Sequence, residues 1–295
     1  MSVRWEPMGP APPLETLTRF ERTAVRLVRR MNAGRWQRWW FWHQRHIGAG
    51  WIGALTDPLL EIHGLEQVAR TSRDRPLLLV ANHRTLFDLY VVMAILFRRL
   101  PGWRSINFPV RGRFFYQHIG GLLANGLAAF WSMYPPFFRD PRKRRFDQWA
   151  LGELVGICQA GPGQLVGFHP EGTRNRDPDP WSYLPAQPGV GHLILEAQPQ
   201  VIPVFIAGLD DGVPGVLTRR FRGGAPIRVW FGAALAYESF ATGPNTRRQA
   251  RALADFTMAE IQRLGEQDRA MEAARAPPLR PPTPRARPES RRGCR

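Results

Sequence analysis

The sequence predicts an α/β fold, a mixed and mostly parallel sheet flanked by helices, with amphipathic helices ahead of it. Three observations carry that expectation. Apolar runs of strand length alternate with stretches of helical period, as parallel strands and their crossovers do. Two clusters of polar and charged residues fall where such runs stop, the place where a rigid sheet presents functional loops. Ahead of both, Leu14 to Trp51 repeats its apolar residues at helical spacing.

Residues 1–13 are proline-rich, and an unstructured start is expected. Residues 14–56 read as one or two amphipathic helices. Leu17, Phe20, Ala24, Val25, Val28 and Met31 keep a helical period, with Arg19, Arg22, Arg26, Arg29 and Arg30 between them. A second cluster interleaves Trp36, Trp39, Trp40 and Trp42 with Arg35, Arg38 and Arg45. Indoles settle at headgroup level and guanidinium groups meet phosphates there, so this region is expected to associate with an anionic membrane surface. The alternative is that its tryptophans pack on the following domain and its arginines are only solvated.

Residues 57–270 hold the α/β domain. Candidate strands are Pro76–Ala81, Ser105–Val110, Gln164–Phe168, Val201–Ala207 and Ile227–Phe231, with helices over Leu86–Arg99 and Phe146–Cys158. Ile119 to Phe138 is uncharged but broken by glycines and by Pro135-Pro136, and reads as a buried or interfacial segment rather than a membrane span. A last helix is expected to open at Thr246, which is spaced with Gln249 as a capping box. Residues 271–295, dominated by proline and arginine from Ala276 onward, read as a disordered basic tail.

A chain of 295 residues can bury a full core, and 44% hydrophobic content is ordinary for a globular domain. The net charge of +17 is not ordinary, and nearly all of its basic residues are arginine, with Lys143 the one lysine. A field of that sign favours nucleic acid or an anionic membrane surface. The sequence shows no zinc-ligand spacing and no RRM-type signature, so nucleic acid is not the expected partner. Cys158 and Cys294 are the only cysteines, which excludes a disulfide framework and a cysteine zinc site and fits a reducing compartment. No signal peptide is expected from the first residues.

The chemistry concentrates in the two polar clusters. The first is Asn82-His83-Arg84-Thr85-Leu86-Phe87-Asp88. On a continuous helix, His83 and Asp88 would lie roughly 140° apart. They meet only if His83 sits in the loop before the helix and Asp88 in its first turn, with Thr85 suited to cap it. The Asp88 carboxylate then takes one imidazole nitrogen and leaves the other as a base. Taken alone, the pattern also fits a helix cap beside a satisfied loop histidine. The second cluster is Phe168-His169-Pro170-Glu171-Gly172-Thr173-Arg174. Gly172 permits close backbone approach, and Arg174 offers a planar fork that suits phosphate.

Together the two clusters closely resemble the motifs of the glycerolipid acyltransferase family, typified by 1-acylglycerol-3-phosphate acyltransferases. That family reads N-H-x-S-x-x-D and, downstream, F-P-E-G-T-R. Here Asn82, His83 and Asp88 match the first motif with Thr85 in place of serine, and Pro170 to Arg174 match the second. His169 stands where phenylalanine usually precedes the proline. Two further blocks resemble the family more loosely: Arg111-Gly112-Arg113-Phe114 with Gly121 and Arg139, and Val201-Ile202-Pro203-Val204. The resemblance covers roughly residues 60–210. It implies the family's fold and an O-acyltransferase of phospholipid biosynthesis, with His83 as general base and Asp88 orienting it. It implies an acceptor site from Glu171, Gly172, Thr173 and Arg174, with Arg139 and Arg111 as further phosphate contacts. The donor would be acyl-CoA or acyl carrier protein, with no metal or bound cofactor. The acceptor would be a lysophosphatidate-like lipid, or alternatively glycerol 3-phosphate or another lyso-lipid. A membrane lipid acceptor implies a peripheral or monotopic enzyme on the cytoplasmic face of the cell membrane. A non-catalytic lipid-binding relative is the other alternative, although it would normally have lost His83 or Asp88.

Overall fold

A computed structural model describes residues 11–210, 213–222, 224–242 and 245–275. The expected disorder of residues 1–10 and 276–295 lies outside the described residues. The chain opens with α1 (Arg19–Met31), α2 (Gly34–His43), a π turn (Gln44–Gly48) and α3 (Ala49–Thr56), then β1 (Leu60–His63) and α4 (Leu65–Ala69). The central units follow: β2 (Leu77–Ala81), α5 (Asp88–Arg99), β3 (Ser105–Arg111), α6 (Gly112–Phe115), α7 (Ile119–Leu127) and β4 (Met133–Phe137). The last part comprises α8 (Arg144–Cys158), β5 (Gln164–Phe168), α9 (Gly189–Ala197), β6 (Gln200–Ala207), α10 (Val213–Arg222), β7 (Ile227–Phe231) and α11 (Arg247–Arg275).

Among the described residues, seven strands form one sheet in the order β1-β7-β6-β2-β5-β3-β4. Neighbours are parallel throughout except at β6 and β7, which are antiparallel. This is the mixed, mostly parallel sheet expected. The central strand β2 is buried along its whole length, and its side chains divide by parity. Leu78 and Val80 join the core beneath α1, α8, α9 and α11, whereas Leu77, Leu79 and Ala81 join the opposite core with α3 and α5.

Helix α1 belongs to the body of the fold. Its start is a capping box, with the Thr18 N–H donating to Glu21 Oε2 (2.8 Å) and the Glu21 N–H to Thr18 Oγ1 (3.3 Å). Leu17, Ala24, Val25 and Val28 are buried in the core. Glu21 is itself buried and receives Lys143 Nζ at 2.6 Å, so the only lysine of the chain ties α1 to the start of α8. The apolar face of α1 is therefore spent on the domain, and its exposed arginines are those left on the outer side.

The structure corrects the sequence reading at several points. Strands β1 and β4 were not anticipated, and both are edge strands. Pro135 and Pro136 lie in β4, where an edge tolerates the missing N–H donors that a central strand cannot. Thr85 does not cap α5, which begins at Asp88 after Phe87. Helix α11 runs on to Arg275, past the 270/271 boundary. The capping box at its start is formed, with the Thr246 N–H donating to Gln249 Oε1 at 3.0 Å and the Gln249 N–H to Thr246 Oγ1 at 3.2 Å.

Candidate active site

The two motifs meet because their strands are neighbours in register. Strands β2 and β5 pair in parallel with Val80 opposite Phe168, so the chain beyond each emerges side by side. His83 leaves β2 in the loop, and Asp88 is the first residue of α5. The separation of five positions is closed by folding the loop back onto the carboxylate. Asp88 Oδ2 accepts from the Arg84 N–H (2.7 Å) and the Thr85 N–H (2.9 Å), and lies 3.2 Å from His83 Nδ1. Thr85 Oγ1 donates to Asp88 Oδ1 at 2.8 Å and accepts from the Phe87 N–H at 3.0 Å. Thr85 thus orders the loop around the acid instead of ending the helix.

Asp88 is wholly buried. Burial opposes its ionisation, but the hydrogen bond and charge of His83, the neighbouring His169 and the Thr85 N–H together hold its pKa below the ordinary carboxylate value. The result is a buried anion bonded to one nitrogen of an imidazole whose ring remains partly exposed. With Nδ1 facing the carboxylate, Nε2 is the nitrogen through which an imidazole held in this way can act as a base.

Glu171 braces this loop from behind. It is buried, with Oε1 accepting the His83 N–H at 2.8 Å and Oε2 accepting the Leu184 N–H at 2.9 Å. Burial pushes its pKa up against those two bonds. The Asn175 N–H, one residue beyond the second motif, adds a bond to the His83 carbonyl at 2.8 Å, so Glu171 and Asn175 hold the backbone of the first motif from both sides. Asn82 fastens the same loop to β6, donating to the Ile206 carbonyl at 2.9 Å and accepting the Ile206 N–H at 2.8 Å.

Arginines gather at the same edge of the sheet. Arg84 follows β2, Arg111 ends β3, Arg139 follows β4 and Arg174 follows β5, at the C-terminal ends of four parallel strands. Gly172 has φ +65°, and a Cβ there would come within 1.8 Å of Arg139 Nη2. The space that glycine leaves is filled by the Arg139 guanidinium. Arg139 itself has φ +55°, held by Asp147, which accepts the N–H groups of Phe138 and Arg139 at 2.8 and 2.9 Å. Burial, and then the nearby charge of Arg111, lower the Arg139 pKa from its usual value. Of the sequence-predicted residues, Arg139 and Arg111 thus converge beside Gly172, Thr173 is half-buried in the same loop, and Arg174 lies one residue before the Asn175 contact to His83.

Sequence reasoning missed His169. Its ring stacks on that of His83 with centroids 3.8 Å apart and planes within 9°, and Nδ1 lies 3.0 Å from the Ala81 carbonyl. The only signal was its departure from the aromatic usually found there. His83, Asp88 and His169 bring possible metal-ligand atoms within 4.8 Å of one another. Two parallel imidazoles direct their in-plane lone pairs alongside each other rather than toward one point, and Asp88 is already filled by its donors. The arrangement suits a stacked pair better than a shared ion.

One apolar crevice adjoins the site. Phe87 and Val91 at the start of α5 face Trp51, Ile52 and Leu55 of α3 and Val216 of α10 across a crevice with an empty volume of about 270 Å³, its open mouth included. Elsewhere, Trp36, Trp39 and Trp42 on α2 are exposed, Trp42 by 55%, as are Ile119, Leu123 and Leu127 on one face of α7, Leu127 by 76%. The two helices meet at Trp131, whose ring lies edge-on to Trp40 at 5.9 Å and against Gly126. Among the described residues, no helix is long and apolar enough to cross a membrane.

The acyltransferase family model matches residues 59–207. This chain belongs to the acyltransferase family. The match coincides with the stretch over which the two motifs resemble the glycerolipid acyltransferases, and it contains His83, Asp88 and the second motif whole. In a comparison of folds, the chain is similar to PlsC from Thermotoga maritima, described as a 1-acyl-sn-glycerophosphate (LPA) acyltransferase. The two are 16% identical, with a TM-score of 0.49 over 85% of this chain and 95% of that one. No curated protein matches the chain by sequence.

Proposed function

We propose that this acyltransferase moves a fatty acyl group from acyl-CoA or acyl carrier protein to the hydroxyl of a lysophosphatidate-like acceptor. The observation that carries the reading is the His83–Asp88 pair set beside converging arginines. His83 Nε2 removes the acceptor hydroxyl proton as the oxygen attacks the thioester carbonyl. Asp88 fixes the tautomer and offsets the charge of the imidazolium. The thiol then leaves as the tetrahedral intermediate collapses, and His83 returns the proton to it. Arg174, Arg139 and Arg111 are assigned to the acceptor phosphate, for which a cluster of planar, permanently charged forks is suited. Glu171, Gly172 and Thr173 shape that pocket, Glu171 through the backbone it holds. No metal or bound cofactor has a part in this chemistry.

The crevice lined by Phe87 and Trp51 is the proposed seat for part of the donor's acyl chain, because it is apolar and begins beside Asp88. The exposed faces of α2 and α7 are assigned to an anionic bilayer surface on the cytoplasmic side, where the acceptor resides. Indoles and aliphatic side chains enter the interface there, and Arg35, Arg38 and Arg45 meet phosphates. The test is a panel of acceptors in liposomes with acyl-CoA donors of graded chain length and products identified by mass spectrometry. Lysophosphatidate should be acylated and its dephosphorylated counterpart should not. Equal use of both would remove the phosphate-site assignment, and indifference to chain length would remove the crevice.

A further inference from the structure

We infer that His169 is a positioning residue for His83, a neutral aromatic floor that fixes the plane of the catalytic ring. This rests on the reading of His83 as the base. Three observations support it. The rings lie 3.8 Å apart and 9° from parallel, a full-face contact rather than a glancing one. His169 is not free to turn, because Nδ1 lies 3.0 Å from the Ala81 carbonyl, an acceptor only, so Nδ1 carries the hydrogen and donates. The anchor is rigid as well, since Ala81 ends the fully buried strand β2.

The charge state follows from the same surroundings. Burial, and then the charge of the neighbouring His83, push the His169 pKa well below its ordinary value, so the floor stays uncharged when His83 takes up a proton. A neutral π face supports a cation above it, whereas a second cation at this distance would oppose it. Asp88 holds His83 by one edge and His169 holds it by one face. With Nδ1 turned to Asp88, Nε2 is the ring nitrogen left to act as the base. The phenylalanine usual at this position in the family motif would offer the same face without the bond to Ala81.

Two variants of the full-length protein test the assignment, His169→Ala and His169→Phe, in acyl transfer from oleoyl-CoA to lysophosphatidate in liposomes. Freeing the base from its plane should lower kcat in His169→Ala by about 10²-fold with KM for both substrates nearly unchanged, since misplacing a reacting group costs that much. His169→Phe should recover most of the loss. An unchanged kcat in His169→Ala, or a His169→Phe protein as slow as His169→Ala, overturns the proposal. The imidazole proton resonances of His83, assigned against His83→Ala, provide a readout independent of turnover. Stacking displaces them upfield; His169→Ala should abolish the displacement and His169→Phe should keep it. Resonances that do not move in His169→Ala overturn the stacked arrangement. An inactive wild type whose resonances behave as expected would instead locate the failure in the reading of His83 as a base.

Discussion

Replacing Asp88 by asparagine is the perturbation whose consequences the structure defines most closely. The two side chains are near-isosteric and the site is fully buried. Oδ2 lies 3.2, 2.7 and 2.9 Å from His83 Nδ1, the Arg84 nitrogen and the Thr85 nitrogen. An amide oxygen in that place keeps three donors but gives up their charge assistance. The amide nitrogen then faces Thr85 Oγ1, 2.8 Å from Oδ1, whose hydroxyl can turn from donor to acceptor. Charge assistance is worth roughly 1 kcal/mol per bond, so the three bonds lose about 3 kcal/mol. A neutral amide is cheaper to bury than a carboxylate, which offsets part of that and leaves a net loss of about 1–2 kcal/mol. Catalysis suffers more, because the imidazolium at His83 loses its counter-charge even though the amide oxygen still accepts from Nδ1. A fall in kcat of roughly 10²–10⁴ is expected. Steady-state acyl transfer beside urea unfolding separates the two effects. Because the folded state holds the Asp88 pKa down, its contribution to stability is present above the unfolded carboxylate value and is lost as pH falls through the lowered one. Asp88→Asn should therefore flatten the acid side of the stability curve. A folded variant with kcat within about tenfold of wild type would refute the role given to Asp88.

Other perturbations address the remaining parts of the account. Arg174→Lys keeps the charge but loses the planar fork, and should raise KM for the phosphorylated acceptor in steady-state kinetics; an unchanged KM would mean that the phosphate is held elsewhere. Gly172→Ala places a methyl group where the Arg139 guanidinium lies and strains a left-handed residue by about 1–2 kcal/mol. It should lower the urea midpoint and raise the same KM, whereas a change in neither would discount the Gly172–Arg139 contact. Replacing Trp36, Trp39 and Trp42 together by serine should release the protein from anionic vesicles in a sedimentation assay without unfolding it. Retention on the vesicles would remove α2 from the membrane surface. Deleting residues 1–56 is a poorer test, because Val25 and Val28 of α1 belong to the core.

Much of the fold and of the site was legible because periodicity and chemistry coincided. Strand β5 is bounded by Gln164 and Phe168 as the apolar run indicated, and the central strand β2 differs from its expected range by Pro76 alone. The edges were less legible. The four residues of β1 are too short for a pattern, and the prolines of β4 are tolerated because, among the described residues, nothing pairs beyond it. At the site, the spacing of His83 and Asp88 was informative, but the loop's route was not. Asp88 is reached by backbone donors from Arg84 and Thr85, which no side-chain pattern encodes. Gly172 was expected to admit a ligand and instead admits Arg139, a contact between the ends of two strands separated in sequence. His169 could be recognised only once the register of β2 and β5 had set its ring against that of His83.

The central claim is that His83 is the base of an acyl transfer. Its most direct test is turnover of oleoyl-CoA with lysophosphatidate in liposomes, wild type beside His83→Ala. Product is expected from the wild type, with a loss of about 10²–10⁴ in rate for a variant that still folds. A folded His83→Ala protein with near-normal acyl transfer would contradict it.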